Sequence, residues 1–590
     1  MTGEREGLLG SSVSNASLTT KDSGQPLLPE DEQHVNTPTL TVQSNGGARD
    51  IEWNASMATW EATCKMPVTK DAQPYYRYML PCAIFINIMS IGGAIVALIF
   101  VVSRILKAVD HTIFWLIVPF IALSYLISPA LYIYHFFRLR GSEKLPDTLP
   151  PGPVRRRPLT HAVVVVSFNE PLEVLKRTFA SIAAQEGLGK KPIAVFASEE
   201  RDGTRHSQAA MLREAYADSL SRFIVTEHVL LEGEVAGKSS NENHALRELR
   251  RILDAAGVDP FEVMITIVDA DSVLSSTYLA NVEDTFYKMP DGRRMIYSGP
   301  LNTYRNFAEG NMIIQMHEIQ RCHSDLFNNP FGRCFPLSTY SLTLGMCSEL
   351  DYWTPDNIPE DVHTSIKAIL LSYSSHSVVP IGSIICNDLV SGLKDRYEQA
   401  KRHHWGITET AYMMAVFKKM PLTFEVFLSY LGAELGRAGS FFATSALLSG
   451  LVLKVVVVAF FFYIWPEITP EAKIIIFSLL GHVPWSWFMF WVAEISFWRS
   501  PLMRQFEIEH ASCCRWILLV ILSPILTTIA DFLFFTLPVL HILLHVACVG
   551  DLEYVTAPKG KGDAEISRTE SRVLSGKKIG TKAKERNDSL

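Results

Sequence analysis

Charge is scarce in this chain, and the shortfall settles several questions before any motif is read. Only 19% of its 590 residues are Asp, Glu, Lys or Arg, against about 25% in ordinary soluble domains, while 48% are hydrophobic. That deficit predicts apolar segments that never face water. A basic excess is also missing: the net charge is −7, which offers no polyanion-binding footprint and argues against nucleic acid as a partner. The nine cysteines include no CxxC pair, so neither a zinc site nor a disulfide scaffold is indicated. Cys513-Cys514, just ahead of an apolar run, reads as two reduced thiols near a membrane surface. No apolar stretch follows the initiating methionine, so no signal peptide is expected.

What is present falls into blocks. Residues 1–50, rich in Ser, Thr, Gly, Asn and acids, are expected to be disordered. Over 51–75, Trp53, Met57, Trp60 and Cys64 recur at i, i+4, i+7 and i+11, the stripe of an amphipathic helix lying on a membrane interface or docked on the protein itself. Within 78–138, Cys82 to Val102 and Thr112 to Phe137 each supply the roughly 20 apolar residues that a bilayer core of about 30 Å requires. Arg138, Arg140 and Arg155-Arg156-Arg157 follow, which places the next segment in the cytosol.

From 155 to 415 the pattern becomes strand–helix alternation. Strands are expected at His161 to Phe168, Pro192 to Ala197, Phe223 to Leu230, Val263 to Val268 and Met295 to Ser298, with helices at Leu172 to Ala184 and Ala245 to Ala255. This predicts an α/β domain, a parallel sheet wrapped by helices with its ligand site at the carboxyl ends of the strands. Apolar runs return over 421–549. Phe441 to Trp465 and Ile474 to Trp498 are the clearest spans; Trp516 to Val549, with Pro524, Asp531 and Pro538 inside it, suggests a kinked or re-entrant element. The tail over 555–590 is basic and is expected to be disordered and cytosolic, near anionic lipid. The whole reads as a multi-pass membrane protein of the plasma membrane or Golgi with a cytosolic domain inserted between its helices.

The sharpest motif is Ile265-Thr266-Ile267-Val268-Asp269-Ala270-Asp271. An apolar strand ends and at once presents two carboxylates at i, i+2, a donor set suited to Mg²⁺ or Mn²⁺ together with phosphate oxygens. Solvated acids at a strand terminus are the plainer reading of a DxD standing alone. The first strand ends in Asn169-Glu170 and the second in Glu199-Glu200, polar groups at the same sheet edge that suit ribose and a base. Lys238, with Asn241 and Asn243 at the start of a helix, favours phosphate. Gly233 to Ser239 imitates a P-loop but is one residue short between its glycines. Glu360-Asp361 opens a later helix; beyond complementing the helix dipole, Asp361 could take a proton from an acceptor hydroxyl. In Arg402-His403-His404-Trp405, the tryptophan could stack on a sugar, while Arg402 and a protonated His404 could pair with diphosphate.

Together these residues resemble the inverting family-2 glycosyltransferases, in particular the membrane synthases of cellulose, chitin and hyaluronan. The resemblance covers about Leu159 to Gly406 and the arrangement of spans on either side. The family order is a strand-end acid, a Lys/Asn phosphate segment, a DxD, a Thr-Glu-Asp and a Gln-x-x-Arg-Trp. The matching positions here are Glu199 or Glu200, Lys238 with Asn243, Asp269 and Asp271, Glu360-Asp361, and Trp405. Pro359 replaces the threonine; with Trp405 aligned, Lys401 and His404 stand where Gln and Arg are expected. The resemblance implies a GT-A (Rossmann-like) fold and a nucleoside diphosphate sugar, UDP-linked, as donor. It implies single displacement with inversion, using Asp361 as base and Asp269 and Asp271 as metal ligands. The acceptor would be a growing polysaccharide or a lipid. A membrane transporter or receptor whose nucleotide-binding domain holds a ligand without turnover is the reading from another class.

Overall fold

In the computed structural model, the described residues are 69–81, 84, 158–328, 336–372, 378–419, 488, 490–492, 494–499, 501–506, 508 and 511–549. The expected disordered head, the spans Cys82 to Val102 (save residue 84) and Thr112 to Phe137, the span Phe441 to Trp465, most of Ile474 to Trp498 and the basic tail lie outside them. Of the amphipathic stretch over 51–75, residues 69–75 are described: a 3₁₀ turn, Thr69–Ala72, leads into a helix over 73–81 that buries Tyr76.

Seven elements build the first half of the domain: β1 (Thr160–Ser167), α1 (Leu172–Ala183), β2 (Ile193–Glu199), α2 (Arg205–Tyr216), β3 (Arg222–His228), α3 (Lys238–Asp254) and β4 (Val263–Asp269). The four-valine run of β1 and all of β2 are almost wholly buried, as strands covered on both faces must be. α1 starts at Pro171, whose extended backbone ends the preceding loop, and it buries Val174, Leu175, Phe179 and Ile182 along one stripe.

The chain continues through β5 (Val273–Leu274), α4 (Tyr278–Lys288), β6 (Ile296–Ser298), β7 (Leu301–Asn302), α5 (Met312–Asn328), β8 (Tyr340–Thr343), α6 (Leu344–Glu349), α7 (Glu360–Ser372), β9 (Val378–Pro380), β10 (Ile385–Cys386), α8 (Leu393–His404) and α9 (Glu409–Lys419). The main sheet has the order β3-β2-β1-β4-β8-β6-β9, and a second sheet the order β5-β10-β7. The sheet is therefore mixed, not parallel throughout: β8 runs antiparallel to both β4 and β6. Strand–helix alternation holds up to β4, and there the parallel expectation holds with it. β8 is a four-residue buried strand with no periodic signature of direction.

Chain order reverses between β1 and β4, since β2 and β3 lie to one side and β4 to the other. Val166 sits opposite Asp269 and Ser167 opposite Ser198. That register brings the ends of β1, β2 and β4 to one crevice, the switch point where open α/β sheets bind ligands.

Among the described residues, one helix is long and apolar enough to cross a membrane, Cys513–Cys548. It comprises α10 (Cys513–Asp531), a π-helical turn (Phe532–Thr536) and α11 (Leu537–Cys548). The kink expected at the prolines is this π turn within a continuous helix. Pro538 has no N–H to give the carbonyl four residues earlier, that of Phe534. Before the turn Leu519, Leu526 and Ala530, and within it Phe534, pack with Tyr304, Phe307 and Trp498; after it, Val539, Ile542, Leu543 and Val546 join the core around Trp405 and Tyr412. Arg515 ties the start of the helix to α5 through Gln315 Oε1 at 2.9 Å.

Candidate active site

A cavity of about 900 Å³ opens at the strand ends and runs to the π turn. Its strand end is built around Lys238, the first residue of α3. The ammonium contacts Glu360 Oε1 at 2.6 Å, Ser338 O at 2.8 Å and Asp269 Oδ1 at 2.9 Å, with Glu242 Oε1 further off at 3.6 Å. Burial alone would lower the lysine; Asp269, Glu360 and Glu242 outweigh it and hold the ammonium well above its ordinary value. Glu360 is pushed up to about 8 by burial, against the pull of Lys238.

Asp361 follows at the amino end of α7. Its Oδ1 accepts from Val362 N at 2.7 Å and its Oδ2 from Ser338 N at 3.3 Å. Burial nonetheless raises its carboxyl above the usual range. A carboxylate so placed is a stronger proton acceptor than a solvated aspartate, as a general base requires.

The second acid of the DxD, Asp271, is buried and its Oδ2 accepts the Asp388 backbone N–H at 3.1 Å. β10 pairs with β5, which begins two residues after Asp271, and so delivers Asn387 and Asp388 to this point. Asp388 itself pairs with Arg305 and with Arg177 Nη2 at 3.1 Å; burial and the charge of Asp271 raise it. Among the described residues no trio of His, Cys, Asp or Glu forms a metal cage. The donor set at Asp269 and Asp271 fits a hard cation that takes one or two carboxylates and completes its shell with phosphate oxygens.

Two family models match, the one described as Glycosyltransferase like family 2 over residues 158–297 and the one described as Glycosyl transferase family group 2 over residues 264–543. The chain carries glycosyltransferase family 2 domains. It is a transferase, and the second match runs through the apolar helix as far as α11. Solved structures similar to the transferase include GalNAc-T7 with UDP, GalNAc and Mn²⁺, at 10% identity and a TM-score of 0.26, covering 39% of this chain and 43% of that one. They also include S. aureus TarS 1–349 in complex with UDP-GlcNAc, at 12% identity and a TM-score of 0.25, covering 42% and 66%. The matched part thus spans under half of the GalNAc-T7 chain. A comparison with curated proteins returns no match.

Of the site residues expected from the transferase's sequence, Glu170, Glu199, Lys238, Asp269, Asp271, Glu360, Asp361, Arg402 and His404 line the cavity. Four do not. Asn169 takes a left-handed backbone, φ 55°, which asparagine tolerates; it turns the chain after β1 and donates its N–H to Asp202 at 3.0 Å. Glu200 is exposed. Asn243 is buried, bonded to the Trp353 carbonyl and to Arg247. Trp405 is 2% exposed and packs edge-on against His545.

His404 is on the wall, but not as the expected cation. Its Nε2 donates to Phe534 O at 3.1 Å, supplying the bond that Pro538 withholds, and burial lowers the ring to about 4. It is neutral at pH 7.

Gln399 joins the cavity wall although it is not among the residues expected from the sequence. Gln399 and Arg402 stand one turn apart on α8 and both line the cavity with His403. The Gln-x-x-Arg spacing is intact when Arg402, not Trp405, anchors the alignment, and His403 then holds the tryptophan position. Asp388 and Arg201 carried no motif. Arg201 lies over the Phe168 ring at 4.7 Å and pairs with Glu199 at the end of β2.

Proposed function

We propose that this transferase moves a sugar with inversion from a UDP-linked donor, held by Mg²⁺ or Mn²⁺, to the end of a growing polysaccharide. The observation that carries the reading is the meeting of Lys238, Asp269 and Glu360 within 3 Å, beside Asp361 and Asp271, in one crevice at the sheet's switch point. Asp269 and Asp271 hold the cation, whose role is to neutralise the departing diphosphate. Arg402 and Gln399 bind the diphosphate from the protein side, with the positive charge of Lys238 close by at Asp269. The stack of Arg201 on Phe168, with Glu199, frames the base. Asp361 takes the proton from the acceptor hydroxyl, and positioning with charge stabilisation supplies most of the acceleration.

The polymer reading is supported by the far wall of the same cavity, where Asp531, Phe534 and Phe535 come from the apolar helix. A product growing from Asp361 meets a membrane-type helix directly, in keeping with a multi-pass protein that passes its product across the bilayer. The test is transfer from a panel of radiolabelled nucleotide sugars by purified protein with Mn²⁺, followed by size analysis. Long polymer supports the reading. A single sugar on lipid replaces it with lipid glycosylation, and metal-dependent UDP binding without transfer from any donor replaces it with a binding protein.

A further inference from the structure

Lys238 has three N–H bonds and four neighbours. Ser338 O, Glu360 and Asp269 lie within 2.9 Å; the fourth, Glu242, stands off at 3.6 Å. Glu242 is one turn along α3, its side chain is wholly buried, and neither carboxyl oxygen has a hydrogen-bond partner among the described residues. Burying a carboxyl without hydrogen bonds is costly, and such a group calls for an explanation. Packing does not supply one, because a leucine or methionine on this face of α3 would fill the space without the cost. The contact that Glu242 does make is toward the ammonium that already holds Asp269.

We propose that Glu242 is a positioning residue, a second seat for the Lys238 ammonium that fills when a divalent cation carrying the donor diphosphate takes Asp269. The proposal rests on the donor reading above. No covalent bond changes. Asp269 exchanges an ammonium for a metal ion, and the N–H it releases turns to Glu242, while the contacts to Ser338 and Glu360 persist. The 3.6 Å gap closes to the roughly 2.8 Å of a charge-assisted hydrogen bond. Without the second seat, the freed N–H would be left unpaired in a buried site, and loading the metal would be correspondingly harder. Glu242 thus weakens the empty protein and strengthens the loaded one.

The test compares the intact chain with Glu242→Gln and Glu242→Met, reading two quantities for each: the thermal midpoint without ligand, and UDP affinity by calorimetry with and without Mn²⁺. Both variants should melt higher than the parent. The gain in UDP affinity on adding Mn²⁺ should shrink about tenfold in Glu242→Met, the scale of one hydrogen bond to a charged group, and less in Glu242→Gln, whose amide oxygen still accepts. Opposite signs in stability and metal-linked affinity are the signature, because a merely structural residue moves both the same way. A fall in both quantities, or an unchanged gain in both variants, overturns the second seat. A parent chain that binds UDP equally with and without Mn²⁺ overturns the donor reading and the proposal with it.

Discussion

At the strand end of the cavity one ammonium, Lys238, faces three carboxylates within 3.6 Å. At the helix end the ratio is inverted. Glu318 on α5 is buried between Arg396 and Arg321, the latter at 2.9 Å, and also accepts from Thr303 Oγ1 at 2.5 Å. Burial would raise Glu318, yet the two guanidiniums hold it well below the usual carboxylate range, whereas Glu360 rises to about 8. Both regions are buried ion clusters lining one cavity, and only one is short of cations. The strand end is therefore the place where a metal ion and a diphosphate change the balance of charge. At the helix end the carboxylate already has a guanidinium on each oxygen, and the cluster holds α5 to α8. Charged residues alone do not distinguish a site from a brace; the state of their pairing does.

The contrast can be broken in four places. Asp361→Asn should reduce turnover by about 10²–10⁴-fold, the worth of a general base, with Mn²⁺–UDP binding retained; turnover within a few-fold of the parent would remove Asp361 from that role. Glu318→Gln leaves two buried guanidiniums without their anion and should cost about 3–5 kcal/mol in denaturant unfolding. Glu360→Gln should not, and the sign follows from its shift. An acid raised from 4.5 to about 8 in the fold withdraws stability as pH rises across that window, so Glu360→Gln should flatten the decline. Equal losses in the two variants would erase the distinction between the ends.

Third, Asp271→Ala should weaken metal-dependent donor binding by about tenfold to a hundredfold, measured by calorimetry with and without Mn²⁺, while leaving the melting temperature near the parent's. The last effect is a slope. His317 and His404 are lowered to about 4 in the fold, against 6.5 ordinarily. The unfolded chain takes up protons that the folded one refuses, so stability is full above 6.5 and falls as pH drops toward 4. A decline of about 2–4 °C per kcal/mol is expected in the thermal midpoint, and His404→Gln should remove part of it.

Much of the strand half was legible because its signals are local. β1 and β4 are mostly apolar runs, so their ends fall within a residue or two of the expected ones, and Asp269 is placed by where β4 stops. Lys238 and Asp361 were legible as helix starts. What escaped depends on long-range pairing. β5, β7 and β10 are two residues each, too short to leave a period, yet β10 is what brings Asp388 to Asp271. Trp405 misled the alignment of α8, because a tryptophan near a membrane reads as a platform for sugar, while here it fills the core beside Tyr412 and α11. Asn169 and Asn243 have the polarity of ligands but serve the backbone, one as a turn and the other as a clamp on Trp353 O.

The π turn at Phe532–Thr536 bears on how this chain tolerates change. A π turn accommodates one more residue than the α-helical turn it replaces, and each residue advances a helix by about 100°. The buried stripe of α10 and that of α11 are thus cut to different cores by a single inserted position. Substitutions in the turn alter one contact at a time. Deleting any one of its five residues would rotate Val539, Ile542, Leu543 and Val546 out of their pockets together, so this stretch should accept new side chains far more readily than a change in length.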